Sequence, residues 1–303
     1  MKKIRNDVHG WINLDKPMNY SSAKAVAIVK RIFNAKKVGH GGTLDPLASG
    51  ILPIALGEAT KTMQFITDSE KAYRFTIKFG AATSTDDAEG ELIEKSDEIP
   101  SEQEIVEILP EFTGEIEQAP PIYSAIKIDG KRAYKLARSG EDFEIKKRKI
   151  MIFDLKFLGF KNEFEAEFET TCGKGTYIRS LGRDLAKKLN SCGHITELRR
   201  IKVGTFNEAN SISLNEIEKT LQNQLDSDKQ RPNFLMQVEQ VLDDILVLDI
   251  NQLQSERLKT GLPVSPIIGG KQGETACAML GDKLIAIGRF DENLFRPIRV
   301  FNH

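Results

Sequence analysis

The chain has 303 residues, of which 40% are hydrophobic and 29% charged, with a net charge of −1. That length suits one large domain with a small one, or two of middling size, and the apolar content suffices for a real core. No apolar run is long enough for a membrane helix, the basic start lacks the features of a signal peptide, and three scattered cysteines (Cys172, Cys192, Cys277) predict reduced thiols in a cytoplasm rather than disulfides.

In chain order, "SSAKAVAIVKRIF" (21–33) predicts a helix. Ser21 or Ser22 caps it, and Val26, Val29, Ile32 and Phe33 share one face. "GHGGTLDPLASGILPIALG" (39–57) reads as irregular chain, because glycine and proline interrupt regular structure. "KAYRFTIKF" (71–79) alternates, with Tyr73, Phe75, Ile77 and Phe79 on one side and Arg74, Thr76 and Lys78 on the other, as in a half-buried strand. Residues 100–110 predict a helix capped by Ser101, with Ile105, Ile108 and Leu109 inward. "APPIYSAIKIDGKRAYKLARSG" (119–140) passes from a Pro-Pro turn through a short strand and an "IDGK" turn into a basic helix.

Two strands are expected near 150–158 and 163–171. "CGKGTYIRSLGRDLAKKL" then turns from strand to helix, with Thr176 as cap. Tyr177, Leu181, Leu185 and Leu189 recur every four residues, and Arg179, Arg183 and Lys187 form a parallel cationic stripe. A polar connection at 222–233 precedes a small β-rich module at 241–303. No internal repeat is present.

The near-zero net charge conceals strong polarisation. Residues 84–119 hold thirteen acids and one lysine, whereas 127–149 hold nine Lys or Arg against four acids, and 174–202 hold eight against two. The two basic segments suit contact with phosphates, and the acidic one is expected to stay clear of them.

Within 39–57 the one charged side chain is Asp45. A glycosidase needs two carboxylates, and the four histidines lack metal-ligand spacing, as does Cys192 with His194. The glycines fit neither phosphate-loop pattern. A solitary carboxylate can still serve as nucleophile or base if a cation holds it in place, and Lys61 and Arg179 are the candidates. Taken alone, Asp45 also fits a turn cap before Pro46, His40 a turn histidine and Tyr73 a core residue.

Five blocks in order, "GHGGTLDPLASGILPIALGEATK", "KAYRFTIKFGAATSTDDAEGE", "PPIYSAIKIDGKRAYKLAR", "GTYIRSLGRDLA" and "ELRRIKVGTF", resemble the TruB-type pseudouridine synthases over roughly residues 10–205. The tail, through "LKTGLPV", resembles the RNA-binding PUA module more loosely. The resemblance implies a mixed α/β (α+β) fold: a largely antiparallel sheet with flanking helices and a cleft across its middle. The catalytic domain would span 1–235, with a basic flap at about 122–150, and a PUA-like module would span 241–303.

The implied reaction turns uridine 55 in the T-loop of transfer RNA into pseudouridine. The base flips out of its stack, detaches from C1′ and rejoins through C5, with no metal or other cofactor. Asp45 would be the catalytic aspartate, acting at C1′ or C2′. Tyr73 would pack on the uracil as a possible proton acceptor from C5, and Arg179 would hold Asp45 ionised. Tyr177 and Leu198 would line the nucleotide pocket, and His40 would fill the space left by the flipped base. Lys16 and Lys61 would contact phosphate or position the loop, and Lys127, Lys131 and Arg132 would belong to the flap. The implied partner is tRNA, met by a cytoplasmic monomer with no obligatory protein partner. The alternatives are a guide-RNA-dependent enzyme acting on ribosomal RNA and an RNA-folding chaperone with incidental catalysis.

Overall fold

Strand-forming alternation dominates the middle of the chain, and the fold is organised around it. The computed structural model describes residues 5–302 except 125, 129, 140–142, 144, 225–231, 243–244 and 267–268; for 127, 128, 132, 134, 135, 138, 223 and 224 it describes the backbone alone. β1 (Gly10–Lys16), α1 (Ser22–Ile32), β2 (Val38–His40) and β3 (Ser49–Leu56) lead to α2 (Met63–Asp68) and β4 (Lys71–Phe79). β5 (Ala81–Thr83), β6 (Leu92–Lys95) and α3 (Glu102–Ile108) precede β7 (Gly114–Gln118). The hairpin β8 (Lys127–Ile128) and β9 (Lys131–Arg132) runs into α4 (Ala133–Arg138). Then come β10 (Arg148–Phe160), β11 (Glu165–Cys172), α5 (Ile178–Lys188), β12 (Gly193–Val203), β13 (Phe206–Asn207), α6 (Leu214–Gln224) and β14 (Leu235–Met236). β15 (Leu246–Asp249), α7 (Gln252–Lys259), β16 (Thr275–Leu280), β17 (Lys283–Asp291) and β18 (Leu294–Val300) complete the chain.

Ten strands form one sheet in the order β14-β1-β3-β12-β4-β11-β10-β7, with β2 added to β3 and β13 to β12. All these pairings are antiparallel except β3 with β12, which meet in parallel at Ser49–Gly50 against Arg199–Arg200. The fold is therefore the mixed, largely antiparallel one that the resemblance implies.

On one half of the sheet Phe75 and Phe168 stack at 5.4 Å, under Leu181 and Leu185 of α5 and Ile105 of α3. On the other half, Ala25 and Val29 of α1, with Phe33 just past its end, cover Ile12, Leu14, Leu52 and Ile54. Each such large apolar side chain contributes about 1.5–3 kcal/mol by leaving water. The helix α3 is capped by Ser101 as expected, and Glu104 extends that cap into a capping box.

Three local expectations are corrected. Residues 49–56 are a central strand rather than irregular chain. Pro53 is tolerated there because its carbonyl accepts from the Gly41 N–H at 2.8 Å, so the edge on which it lacks a donor faces a loop and not β1. Thr76, assigned to the solvent side of β4, is buried, with Glu167 and Glu197 standing opposite it on the two adjoining strands. Thr176 does not cap α5: Tyr177 occupies the N-cap position, and the Thr176 hydroxyl donates to the Gly173 carbonyl.

The C-terminal strands make a separate four-stranded sheet, β15-β16-β17-β18, crossed by α7. One face of it is seated on the body: Cys277, Leu284, Ile287 and Phe301 share a core with Trp11, Ala59, Ile66 and Val203. Among the described residues no helix is long and apolar enough to cross a membrane.

Candidate active site

Asp45 sits on the loop between β2 and β3, and buried polar side chains hold that loop from several sides. The Ser22 hydroxyl donates to the Leu44 carbonyl at 3.0 Å and accepts from the Leu44 N–H at 2.9 Å, clamping the residue before Asp45 to the start of α1. Lys16, fully buried, donates to the carbonyls of Tyr20 (2.7 Å), Pro17 (3.0 Å) and Pro46 (3.4 Å). The loop glycines make room: a Cβ on Gly41 would meet Ile66 Cγ2 at 2.4 Å, and one on Gly50, whose φ is +98°, would meet the Arg200 carbonyl at 2.2 Å.

The aspartate faces the first turn of α5. Arg179 Nε lies 3.0 Å from Asp45 Oδ2. The arginine side chain is 7% exposed and the aspartate 38%, so the cation is sealed in while the acid is reachable. The rest of the guanidinium is fixed: Nη1 donates to the Thr85 carbonyl at 2.9 Å and lies 3.5 Å from Asp87 Oδ2, and Nη2 donates to the Tyr123 carbonyl at 3.0 Å. One turn later Arg183 pairs with Asp86 at 2.9 Å. The expected cationic stripe is thus split, its first two members turned inward onto acids from the 84–119 segment. Burial pushes the Asp86 carboxyl up, against the pull of Arg183 and Arg179.

Between these elements opens a cleft of about 500 Å³. Asp45, Tyr73, Tyr177, Arg179 and Leu198 all line it. Burial raises both tyrosine phenols above their ordinary value of 10, so both are neutral hydroxyls at neutral pH. Tyr177 is held by Gln118, which accepts from its backbone N–H at 2.8 Å and donates to its carbonyl at 3.1 Å. The chemistry available is that of one accessible carboxylate against a fixed guanidinium, with aromatic and apolar walls wide enough for a nucleoside.

The other expected residues lie apart. Lys16 is under the loop, so of its two expected uses the geometry offers loop positioning; burial drives its ammonium down to about 8 despite Asp45 nearby. Lys61 is not beside Asp45. It pairs with Glu58 at 2.6 Å and donates to the Val300 carbonyl at 2.7 Å, tying the C-terminal strand to the body. Of the two cations considered for Asp45, Arg179 is the one in contact. His40 ends β2 opposite Ile54, outside the cleft lining, and burial with the charge of Arg200 holds its pKa below 6.5. Lys131 is exposed in the β8–β9 hairpin, while the side chains of Lys127 and Arg132 lie outside the described residues.

Sequence reasoning missed Ser22 as the loop clamp, Asp86 and Asp87 as arginine partners, and Lys71 and Arg200, both buried and both lining the cleft. A signal for the last existed: in "LRRIKV" strand alternation sends the adjacent Arg199 and Arg200 to opposite faces, so one of them must be covered.

The family model described as TruB family pseudouridylate synthase (N terminal domain) matches residues 30–178, and the tRNA pseudouridylate synthase B C-terminal domain matches residues 179–247. The chain is 46% identical to tRNA pseudouridine synthase B of Caulobacter vibrioides, over 99% of this chain and 98% of that protein. It is 44% identical to the protein of that name from Rhodospirillum rubrum, over 97% of each. Among solved structures, a Cbf5-Nop10-Gar1 complex contains a chain that superposes with a TM-score of 0.74 at 27% identity, covering 97% of this chain and 84% of that one.

Proposed function

Since the chain belongs to the TruB family of pseudouridylate synthases, we propose that it is an isomerase converting uridine 55 in the T-loop of tRNA to pseudouridine. The observation that carries this reading to particular residues is the Asp45–Arg179 contact at the wall of an open cleft, with the acid exposed and the base buried. Asp45 engages the ribose of the flipped-out nucleotide, at C1′ or C2′. The N1–C1′ bond breaks, the uracil turns, and C5 bonds to C1′. The C5 proton is released and N1 gains one, so the step is balanced without oxidant or hydrolytic water. Arg179 positions the carboxylate and stabilises its charge. Tyr73, Tyr177 and Leu198 pack around the uracil, and His40 fills the stack it leaves.

The hairpin segment at about 122–150, including Lys127, Lys131 and Arg132, acts as a basic flap over the RNA, and Lys16 positions the Asp45 loop. The catalytic domain runs over 1–235, and 241–303 is a PUA-like RNA-binding module. The enzyme works as a cytoplasmic monomer without a protein partner; its three buried free cysteines suit a reducing compartment.

The test is release of tritium from an unmodified T-stem-loop carrying [5-³H]uridine at position 55, using the purified chain alone. Stoichiometric release, abolished when position 55 is cytidine, is the expected result. No release by the lone protein, with release restored by a guide RNA and added proteins, would favour the guide-dependent alternative. Tight RNA binding and refolding without release would favour the chaperone.

A further inference from the structure

We propose that Arg200 is a positioning residue of this isomerisation: one guanidinium fastens the loop that carries Asp45 on both sides of that residue and stands beside Tyr73 on the neighbouring strand. The inference rests on the isomerase reading above.

Arg200 is 1% exposed, yet among the described residues it makes no ion pair with a carboxylate. Its neighbour Arg199 differs, pairing with Asp15 and Glu208 on the outer face. A buried cation without an acid is costly unless its donors are met, and those of Arg200 are met by backbone carbonyls. Nε donates to Ile51 at 2.7 Å, Nη2 to Gly42 at 3.0 Å and Nη1 to Thr43 at 3.4 Å. Two of these carbonyls precede Asp45 and one follows it. A single planar fork therefore fastens both ends of the loop to the middle of the sheet. The close passage of the Gly50 backbone over the Arg200 carbonyl shows how tightly loop and strand are joined.

Arg200 also stands directly opposite Tyr73 in the β12–β4 register, where side chains share a face at neighbouring distance. Both line the same cleft. Burial raises the Tyr73 phenol, against the pull of the Arg200 charge beside it.

Lysine keeps the charge but not the fork, so Arg200→Lys is the informative variant, with Arg200→Gln as the second. Tritium release is measured with each, alone and combined with Tyr73→Phe, alongside stem-loop affinity and the folded fraction. The expected result for Arg200→Lys is a fall in kcat of about 100-fold with KM within about threefold. Adding Tyr73→Phe should then cost much less than it does in the wild type, because the two side chains are direct cross-strand neighbours on the wall of one cleft. Three results would overturn the proposal: kcat of both variants within threefold of wild type, fully multiplicative effects of the two substitutions, or losses that simply follow the folded fraction. A wild-type protein that releases no tritium would overturn the isomerase reading and this inference together.

Discussion

Two clefts share helix α2 as a wall, and the proposed reaction belongs to one of them. The cleft of Asp45 is the smaller, at about 500 Å³; the other, between the body and the C-terminal strands, is about 690 Å³ and lined by Lys37, Lys61, Arg289 and Arg299. Both have apolar residues and cations, and a cation of each is paired with an acid. At the larger, Lys61 lines the cleft at 25% exposed, and its partner Glu58, 15% exposed, lies behind the lining, so the pair is a tie between two parts of the chain. In the smaller, the order is reversed: the acid at 38% faces the opening and the base at 7% is sealed behind it. Volume and positive charge do not distinguish a reaction site here. What does is which member of the pair the fold leaves accessible.

The sharpest way to break this comparison is to loosen the buried base. Arg179→Lys removes the Nε contact to Asp45 and strands the carbonyls of Thr85 and Tyr123; tritium release should fall about 10²–10³-fold with the protein still folded. A drop of less than tenfold would mean that the pair is as structural as the one in the larger cleft.

Lys71, in the wall of the Asp45 cleft, donates to the carbonyls of Thr67 and Ser69 and is driven down to about 8, first by burial and then by the charge of Arg200. In the unfolded chain its pKa is about 10.4. Between about pH 8 and 10.4 the unfolded state therefore holds more protons, so stability contributed at this site rises with pH. The penalty of confining the charged form is complete below pH 8 and relieved above it. Wild type should gain on the order of 2 kcal/mol relative to Lys71→Met across that window, read by denaturant unfolding at both ends. A flat difference would show that Lys71 is not confined in this way.

Ser22→Ala unhooks Leu44 from α1 and should lower stability by about 1–2 kcal/mol and kcat by about tenfold. Smallest of all, Lys61→Met should leave kcat within twofold and cost about 1 kcal/mol or less, detected as a lower Tm. If it instead reduced catalysis as deeply as Arg179→Lys, the separation of the clefts would fail.

Much of this was legible in the residues because local rules governed them. The caps at Ser21 and Ser101, the alternation of 71–79 and the four-residue leucine spacing of α5 all depend on near neighbours. Asp45 stood out because nothing around it was charged, and Arg179 because it lies on a helix with a clear apolar face. What escaped depended on distant pairing. Pro53 reads as a breaker until its register against Gly41 is known. Lys61 reads as an ally of Asp45 until the last strand claims it through Val300. Asp86 and Asp87 look like part of an acidic surface until α5 is laid beside them. Arg200 was visible as one of two adjacent arginines, but its three carbonyl partners lie some 150 residues away in the chain.

The central claim is that one accessible carboxylate, Asp45, does the chemistry. Single-turnover tritium release by Asp45→Asn on the position-55-labelled stem-loop tests it most directly. The account predicts that the asparagine protein binds the RNA about as tightly as wild type and releases no detectable tritium; release at the wild-type rate would contradict it.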